Sequence, residues 1–261
     1  MKLNSANINV MIKACRKASK ILIRDFGEVE KLQVSLKGPG NYVTASDKKV
    51  EKILIEELLK ARPNYSILSE EAGEINNDDS FRWIIDPIDG TSNFLHGIPH
   101  FAISVGLEHN KEIISGIVYD PIKDEMFVAE KGNGSYMNNQ RMRVSARSKI
   151  KNCIIFSGGP RYESENKELT FKEYIKFSSK VDTAIRKLGC ASLDMAYVAA
   201  GRCDGFWQRD LNYWDIAAGI ILVKESGGYV TDFKGKNEYI ENKTILVTNS
   251  KINNEMIEVL K

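Results

Sequence analysis

The chain contains few cysteines and no long apolar run. Its four cysteines have no C-x-x-C spacing, so we expect buried thiols rather than a disulfide framework. No apolar stretch approaches the roughly 18 residues that a membrane span needs. The N-terminal residues also lack the apolar core of a signal peptide. These absences predict a cytoplasmic protein that does not cross a membrane.

The net charge gives no indication of nucleic-acid binding, and the histidines give none of a zinc site. Thirty-seven basic and 35 acidic residues give a formal charge of +2, so the bulk charge favours no partner, nucleic acid included. The three histidines, His96, His100 and His109, lack the spacing of a zinc motif. At 261 residues, the chain is predicted to form a single compact domain over 1–261 with a seam near residue 145.

The apolar spacing predicts helices first, then a run of strands, then an alternation of both. A helix is expected over 7–26, ending at Gly27. A second one is expected after Thr44, its predicted N-cap, with Asp47 at its third position. Gly38–Asn41 indicates a loop, and Asn110-Lys111 a hairpin. Strands are predicted at 81–85, 101–108, 112–119, 125–130, 153–156, 205–208 and 245–247, and helices at 168–180, 191–200, 214–225 and the C-terminus. This order predicts an α/β fold of stacked layers.

Two aspartates stand at the end of a buried strand. Trp83-Ile84-Ile85 should stop at Asp86, because Pro87 cannot continue a central strand. Asp86 and Asp89 would then leave the sheet together, beside free amides of Gly90, Thr91 and Ser92. Carboxylates beside free amides can hold a divalent cation and a phosphate, and hard oxygen ligands suit Mg²⁺. This run therefore indicates a place that can hold Mg²⁺ and a phosphate, although Asp86 alone could also be a residue of an ordinary D-P-x-D-G turn.

Three further acids fall at the ends of apolar segments. Glu70 follows a strand-like run, Asp47 lies in the first turn of a helix, and Asp215 starts another. Each also has a simpler explanation: Asp47 as a cap, Asp215 as an acid favoured by the helix dipole, and Glu70 as a solvated surface residue. Their shared position at element ends, where α/β folds place their sites, favours a common site.

Several segments together resemble the signatures of the inositol monophosphatase family. The likeness extends over roughly residues 5–255, and the motifs match in order and spacing. They are Trp83–Phe94, Trp214–Gly219 with Glu225–Gly228 after it, Ser69–Glu71, Val43–Asp47 and Gly201–Phe206.

The resemblance implies a fold, a reaction and a set of site residues. It implies a layered α-β-α-β-α sandwich, usually dimeric, with Mg²⁺-dependent, Li⁺-sensitive hydrolysis of a phosphate monoester, typically on inositol. Two or three Mg²⁺ ions would activate water and stabilise the leaving group. The implied metal ligands are Glu70, Asp86, Asp89, Asp215 and the Ile88 carbonyl. The implied catalytic residues are Asp47, Glu70 and Thr91, and the substrate or phosphate contacts are Lys37, Gly90, Thr91, Ser92, Gln208 and Asp215.

One departure from the family leaves the substrate open. Many members carry a glutamate where this chain has Gln208, which has no charge and donates as well as accepts. The alternatives are phosphatases of fructose 1,6-bisphosphate, NADP or 3′-phosphoadenosine phosphate. Some bacterial relatives also act in transcription antitermination through RNA polymerase. A basic run is compatible with RNA polymerase or RNA, or is simply a solvated loop: Arg141, Arg143, Arg147, Lys149 and Lys151.

Overall fold

Seven α-helices occur in the described part of the chain, together with a short 3-10 helix at Ile150–Asn152. A computed structural model describes residues 5–28, 34–38, 41–77, 80–159, 164–183 and 185–261, with the backbone alone for 34–38 and 41–44. The helices are α1 (Ala6–Phe26), α2 (Ala45–Ala61), α3 (Thr91–Leu95), α4 (Lys167–Ser178), α5 (Ala191–Ala199), α6 (Tyr213–Glu225) and α7 (Asn253–Leu260). In the described ranges, none combines the length and apolar character that a bilayer crossing requires.

The strands form three sheets. They are β1 (Val34–Gly38), β2 (Asn41–Thr44), β3 (Ser66–Ser69), β4 (Gly73–Ile75), β5 (Phe81–Asp89), β6 (Ala102–His109), β7 (Glu112–Asp120), β8 (Glu125–Glu130), β9 (Gly134–Met137), β10 (Gln140–Arg141), β11 (Ile155–Ser157), β12 (Gly205–Arg209), β13 (Tyr229–Thr231) and β14 (Thr244–Thr248). The large sheet has the order β10-β9-β8-β7-β6-β5-β3-β4, the small sheet β11-β12-β14-β13, and β1 pairs with β2 alone.

Most predicted elements are confirmed to within a few residues, and the region between α1 and α2 is the main exception. The sequence predicted only a loop at Gly38–Asn41, whereas Gly38 and Asn41 are paired ends of the antiparallel strands β1 and β2. Residues 39–40 lie outside the described residues, as does the side chain of Thr44, so its capping role stays a prediction. Asp47 lies in the first turn of α2, as expected.

Alternation along the strands divides the apolar residues among three cores. In β5, Trp83 and Ile85 join the core under α1 and α2, whereas Ile84 faces the core that holds α5 and α6. In β12, Phe206 faces this middle core and Trp207 faces a third core beneath α4 and α7. The large sheet and the small sheet thus lie between three helical layers, which confirms the predicted α-β-α-β-α sandwich. All four cysteines are buried free thiols.

Helix α6 packs unusually close to the large sheet. A Cβ at Gly116 in β7 would lie 2.6 Å from Ile221 Cγ2 and 2.8 Å from the Ala218 carbonyl oxygen. A Cβ at Gly106 in β6 would lie 3.1 Å from Ala217 Cβ. Only glycine leaves room for this approach, which fixes the height at which the start of α6 sits above the strands.

Candidate active site

The strand that carries Asp86 does not stop there. β5 continues to Asp89 with a register shift: Asp86 pairs with Ser104 of β6, and Asp89 pairs with Ala102. The expectation that the strand ends at Asp86 is therefore wrong. Pro87 lies within this irregularity, and a bulge is one of the few places where a sheet accepts proline. Asp86 Oδ1 accepts the Ile88 amide at 3.0 Å, which holds the bulge and keeps Asp86 buried.

A tight turn leads from β5 into the short helix α3. Gly90 has φ = 90°, a left-handed conformation that glycine adopts without strain. A Cβ there would lie 3.1 Å from the His100 carbonyl oxygen and 3.2 Å from Cys190 Cβ. The turn starts α3 at Thr91, so the amides of its first residues lie at the end of β5.

Asp89 is held by the start of helix α5. Its Oδ2 accepts the Ser192 amide at 2.6 Å and the Cys190 thiol at 3.1 Å. The side chain of Asn93 in α3 adds a second link to the segment before α5. It donates to the carbonyl oxygens of His100 at 2.7 Å and Leu188 at 2.8 Å. Sequence reasoning missed these contacts, because nothing in Cys190-Ala191-Ser192 beyond a helix of small residues marks them.

Asp47 and Thr91, two residues to which the resemblance gives catalytic roles, lie side by side. The Thr91 hydroxyl lies 2.8 Å from the Ile88 carbonyl oxygen and 3.4 Å from Asp47 Oδ1. Since a hydroxyl carries one proton, it donates to one of these oxygens at a time, and the shorter contact is the stronger. Asp47 is buried at the start of α2.

Glu70, which follows β3, and Asp215, in α6, approach the end of β5 from other parts of the chain. Glu70 follows the last residue of β3, and its amide donates to the Ile85 carbonyl oxygen of β5 at 3.2 Å. Asp215 is the third residue of α6, and its Oδ2 accepts the Asn212 amide at 2.8 Å in a capping box. The Ser104 hydroxyl, opposite Asp86, lies 3.5 Å from the Trp214 carbonyl oxygen, so the start of α6 sits above this part of β5 and β6.

The electrostatics reflect this crowding of carboxylates. Burial raises the pKa of Asp86 well above its ordinary value of 3.8, and the charges of Glu70, Asp89, Asp215 and Asp47 raise it further. In the described part of the chain, no three His, Cys, Asp or Glu side chains are grouped so that they could hold a metal ion as they stand. The donors are nevertheless all carboxylate oxygens around a buried acid, a set that a hard divalent cation would neutralise.

The remaining predicted residues lie in three different places. Gln208 stands near the end of β12, and its side chain fills the space beside Gly158, where a Cβ would lie 1.8 Å from Oε1. Ser92 is exposed in the first turn of α3. Lys37 lies in β1, but its side chain is outside the described residues, so its contact stays a prediction.

Comparison with known proteins identifies the group to which this site belongs. A family model described as "Inositol monophosphatase family" matches residues 4–260. The chain belongs to the inositol monophosphatase family. Members of this family are metal-dependent phosphatases, and the chain is accordingly a phosphatase.

Individual relatives carry two kinds of name. An inositol-1-monophosphatase of Rhizobium meliloti is 50% identical over 258 residues, covering 98% of this chain and 97% of the relative. The Nus factor SuhB of Pseudomonas aeruginosa is 38% identical, covering 94% and 92%. A crystal structure of the extragenic suppressor protein suhB from Bartonella henselae superposes with a TM-score of 0.96 at 48% identity, covering 98% of this chain and 99% of that one.

Proposed function

We propose that the chain is a Mg²⁺-dependent phosphatase that hydrolyses an inositol monophosphate to inositol and phosphate. The observation that carries the proposal is the assembly of Glu70, Asp89 and Asp215 around the buried carboxyl group of Asp86. Like charges gathered in this way are costly unless a cation neutralises them.

The carboxylates of Glu70, Asp86, Asp89 and Asp215 and the Ile88 carbonyl would hold two or three Mg²⁺ ions. The ions would neutralise the phosphate and make water a better nucleophile. Each aspartate of this set uses one oxygen to accept an amide: Asp86 from Ile88, Asp89 from Ser192 and Asp215 from Asn212. These bonds orient the carboxylates before a cation arrives, which favours binding. The Ile88 carbonyl accepts the Thr91 hydroxyl and has a second lone pair for a cation.

Thr91, Asp47 and Glu70 would together activate the attacking water. The Thr91 hydroxyl oxygen can accept a hydrogen bond from water while it donates to the Ile88 carbonyl or to Asp47. The Asp47 carboxylate can then take the proton that the water loses. The amides of Gly90, Thr91 and Ser92 would bind the phosphate at the end of β5, with Lys37 contributing a positive charge.

Inositol as the substrate rests on the inositol-1-monophosphatase from Rhizobium meliloti, at 50% identity. Gln208 and Asp215 would contact hydroxyl groups of the substrate. Gly158 is part of the same subsite, because only a residue without a Cβ leaves the Gln208 side chain in its observed position.

Turnover of several substrates under identical conditions tests the proposal. Inositol 1-phosphate, fructose 1,6-bisphosphate, NADP and 3′-phosphoadenosine phosphate would each be offered with saturating Mg²⁺. We expect the highest kcat/KM for inositol 1-phosphate. A higher value for another substrate would replace inositol, and no hydrolysis of any phosphomonoester would refute the phosphatase itself.

A homodimer, inhibition by Li⁺ and a cytoplasmic location complete the proposal and rest on the family resemblance. Light scattering on the purified chain tests the first, and turnover in the presence of LiCl tests the second. A monomer at micromolar concentration or undiminished turnover in Li⁺ would remove the corresponding part without affecting the others.

A second candidate role, in transcription antitermination through RNA polymerase or RNA, is favoured by the relative named Nus factor SuhB. Of the basic run, Arg147 is committed to an ion pair with the buried Asp204 at 3.1 Å. Lys151 is exposed and lies 3.7 Å from Asp182 in a surface ion pair. Arg141, Arg143 and Lys149 are exposed. Replacing these three by alanine should abolish retention on immobilised RNA polymerase while leaving turnover unchanged. If the unmodified chain is not retained, this role is excluded.

A further inference from the structure

A buried glutamate on helix α2 binds the turn that contains Glu70. Glu51 is only 5% exposed. Its Oε1 accepts the amides of Glu71 at 2.9 Å and Ala72 at 3.1 Å. The hydroxyl of Ser69 donates to the same oxygen. One carboxylate oxygen therefore gathers three donors from four consecutive residues.

These donors lie on both sides of Glu70. Ser69 precedes it, and Glu71 and Ala72 follow it, while the amide of Glu70 itself donates to the Ile85 carbonyl oxygen at 3.2 Å. The backbone at Glu70 is thus fixed to α2 by Glu51 and to β5 by its own amide. A side chain whose backbone is fixed on two sides has few places to put its carboxylate.

The helix that supplies Glu51 also supplies Asp47. The two acids are four residues apart, so they lie on the same face of α2, one turn from each other. Asp25 of α1 accepts the Ser46 hydroxyl at 2.7 Å and so anchors the first turn of α2. The position of α2 therefore sets Asp47 directly and Glu70 through Glu51.

We propose that Glu51 is a positioning residue that sets the affinity of the site for divalent cations by holding Glu70 in place. The proposal rests on the proposed function, because it takes Glu70 to be a metal ligand. Groups that orient a metal ligand without touching the metal typically change affinity by about 10- to 100-fold when they are removed.

Two substitutions at this position separate geometry from charge. Glu51→Gln keeps an oxygen that can accept all three hydrogen bonds but removes the negative charge. Glu51→Ala removes both. If Glu51 acts by position, Glu51→Gln should bind cations within about threefold of the unmodified chain, and Glu51→Ala about 10-fold or more weaker.

The matched control is a buried carboxylate with a similar set of donors in another part of the fold. Asp204 accepts the Ile154 amide at 2.8 Å, the Ser145 hydroxyl and Arg147. Asp204→Ala should lower the melting temperature, as Glu51→Ala should, but leave cation affinity unchanged. A general loss of stability is thereby separated from a specific effect on the site.

The measurement is Mn²⁺ binding to the full chain, followed by electron paramagnetic resonance, with melting temperatures recorded without metal. Unchanged Mn²⁺ affinity in Glu51→Ala, or equal weakening in Glu51→Gln and Glu51→Ala, would overturn the proposal, as would an unmodified chain that binds no Mn²⁺. Should Glu51→Ala fail to fold, Ser69→Ala removes one donor and should weaken binding in the same direction. Mn²⁺ binding is scored without turnover, so a chain that binds Mn²⁺ but hydrolyses nothing refutes only the phosphatase.

Discussion

The close contact between α6 and the large sheet predicts a strong effect of the change Gly116→Ala. The added Cβ would lie within 3.0 Å of Ile221 Cγ2 and of the carbonyl oxygen and Cα of Ala218. Two of these three atoms belong to the backbone of α6, so a side-chain rotation cannot relieve the overlap. The helix itself has to move away from the sheet.

The expected cost follows from measured overpacking. Extra carbon in a close-packed interior costs about 1–3 kcal/mol, and a backbone clash on this scale belongs at the upper end of that range. At about 2–4 °C per kcal/mol for a chain of roughly this length, the melting temperature should fall by at least about 6 °C. Because Asp215 lies at the start of α6, outward movement should also weaken cation binding.

Two other glycines provide a graded comparison. A Cβ at Gly106 would lie 3.1 Å from Ala217 Cβ, a smaller overlap, and one at Gly27 only 3.5 Å from the Arg24 carbonyl oxygen, an ordinary contact. Gly27 also has a right-handed backbone conformation that alanine accepts. Circular dichroism melts should therefore rank Gly27→Ala as neutral, Gly106→Ala as intermediate and Gly116→Ala as most destabilised. A Gly116→Ala variant that melts with the unmodified chain would refute this account of the packing.

Three further outcomes are expected at the carboxylate site. Asp89→Asn keeps an acceptor for the Ser192 amide, so the variant should fold normally. Its turnover should be about 100-fold or more slower, since a lost metal ligand costs several kcal/mol of charge stabilisation. Undiminished turnover at saturating Mg²⁺ would contradict the assignment of Asp89 as a metal ligand. Thr91→Ala should lose about 100-fold in kcat, whereas Thr91→Ser, which keeps the hydroxyl, should not. Because the folded-state pKa of Asp86 is raised, its contribution to stability is present below its ordinary value of 3.8 and is lost as pH rises through the folded pKa. The quantity to measure is the melting temperature of the unmodified chain minus that of Asp86→Asn. Without metal this difference should fall with rising pH, and Mg²⁺ should reverse the fall. A difference that does not change with pH would contradict a raised pKa of Asp86.

The sequence was sufficient for the architecture because helical and strand periodicities are strong and local. It failed at Pro87, where the rule that proline ends a central strand is correct for regular pairing but does not anticipate a bulge. The pairing of Gly38 with Asn41 was equally hidden, since a turn signal does not reveal whether strands flank it. The seam near residue 145 stays a prediction.

In the site as well, features of the local sequence could be predicted, whereas contacts between residues far apart in the chain could not. Asp86 and Asp89 could be picked out because they follow an apolar strand, and Asp47 and Thr91 were picked out through the resemblance. The contacts of Ser192 with Asp89 and of Glu51 with the Glu70 turn could not be found in this way. They join residues far apart in the chain, and neither residue type is unusual where it stands.

The strand order of the large sheet has a consequence for the folding pathway. From β5 to β10 each strand pairs with its successor in the chain, so these contacts are local and close quickly. Asp215 must instead be delivered by a helix from the far end of the chain, after a long loop has closed. The capacity to bind a divalent cation should therefore appear only in the last phase of refolding, and its rate of appearance would report completion of the native state.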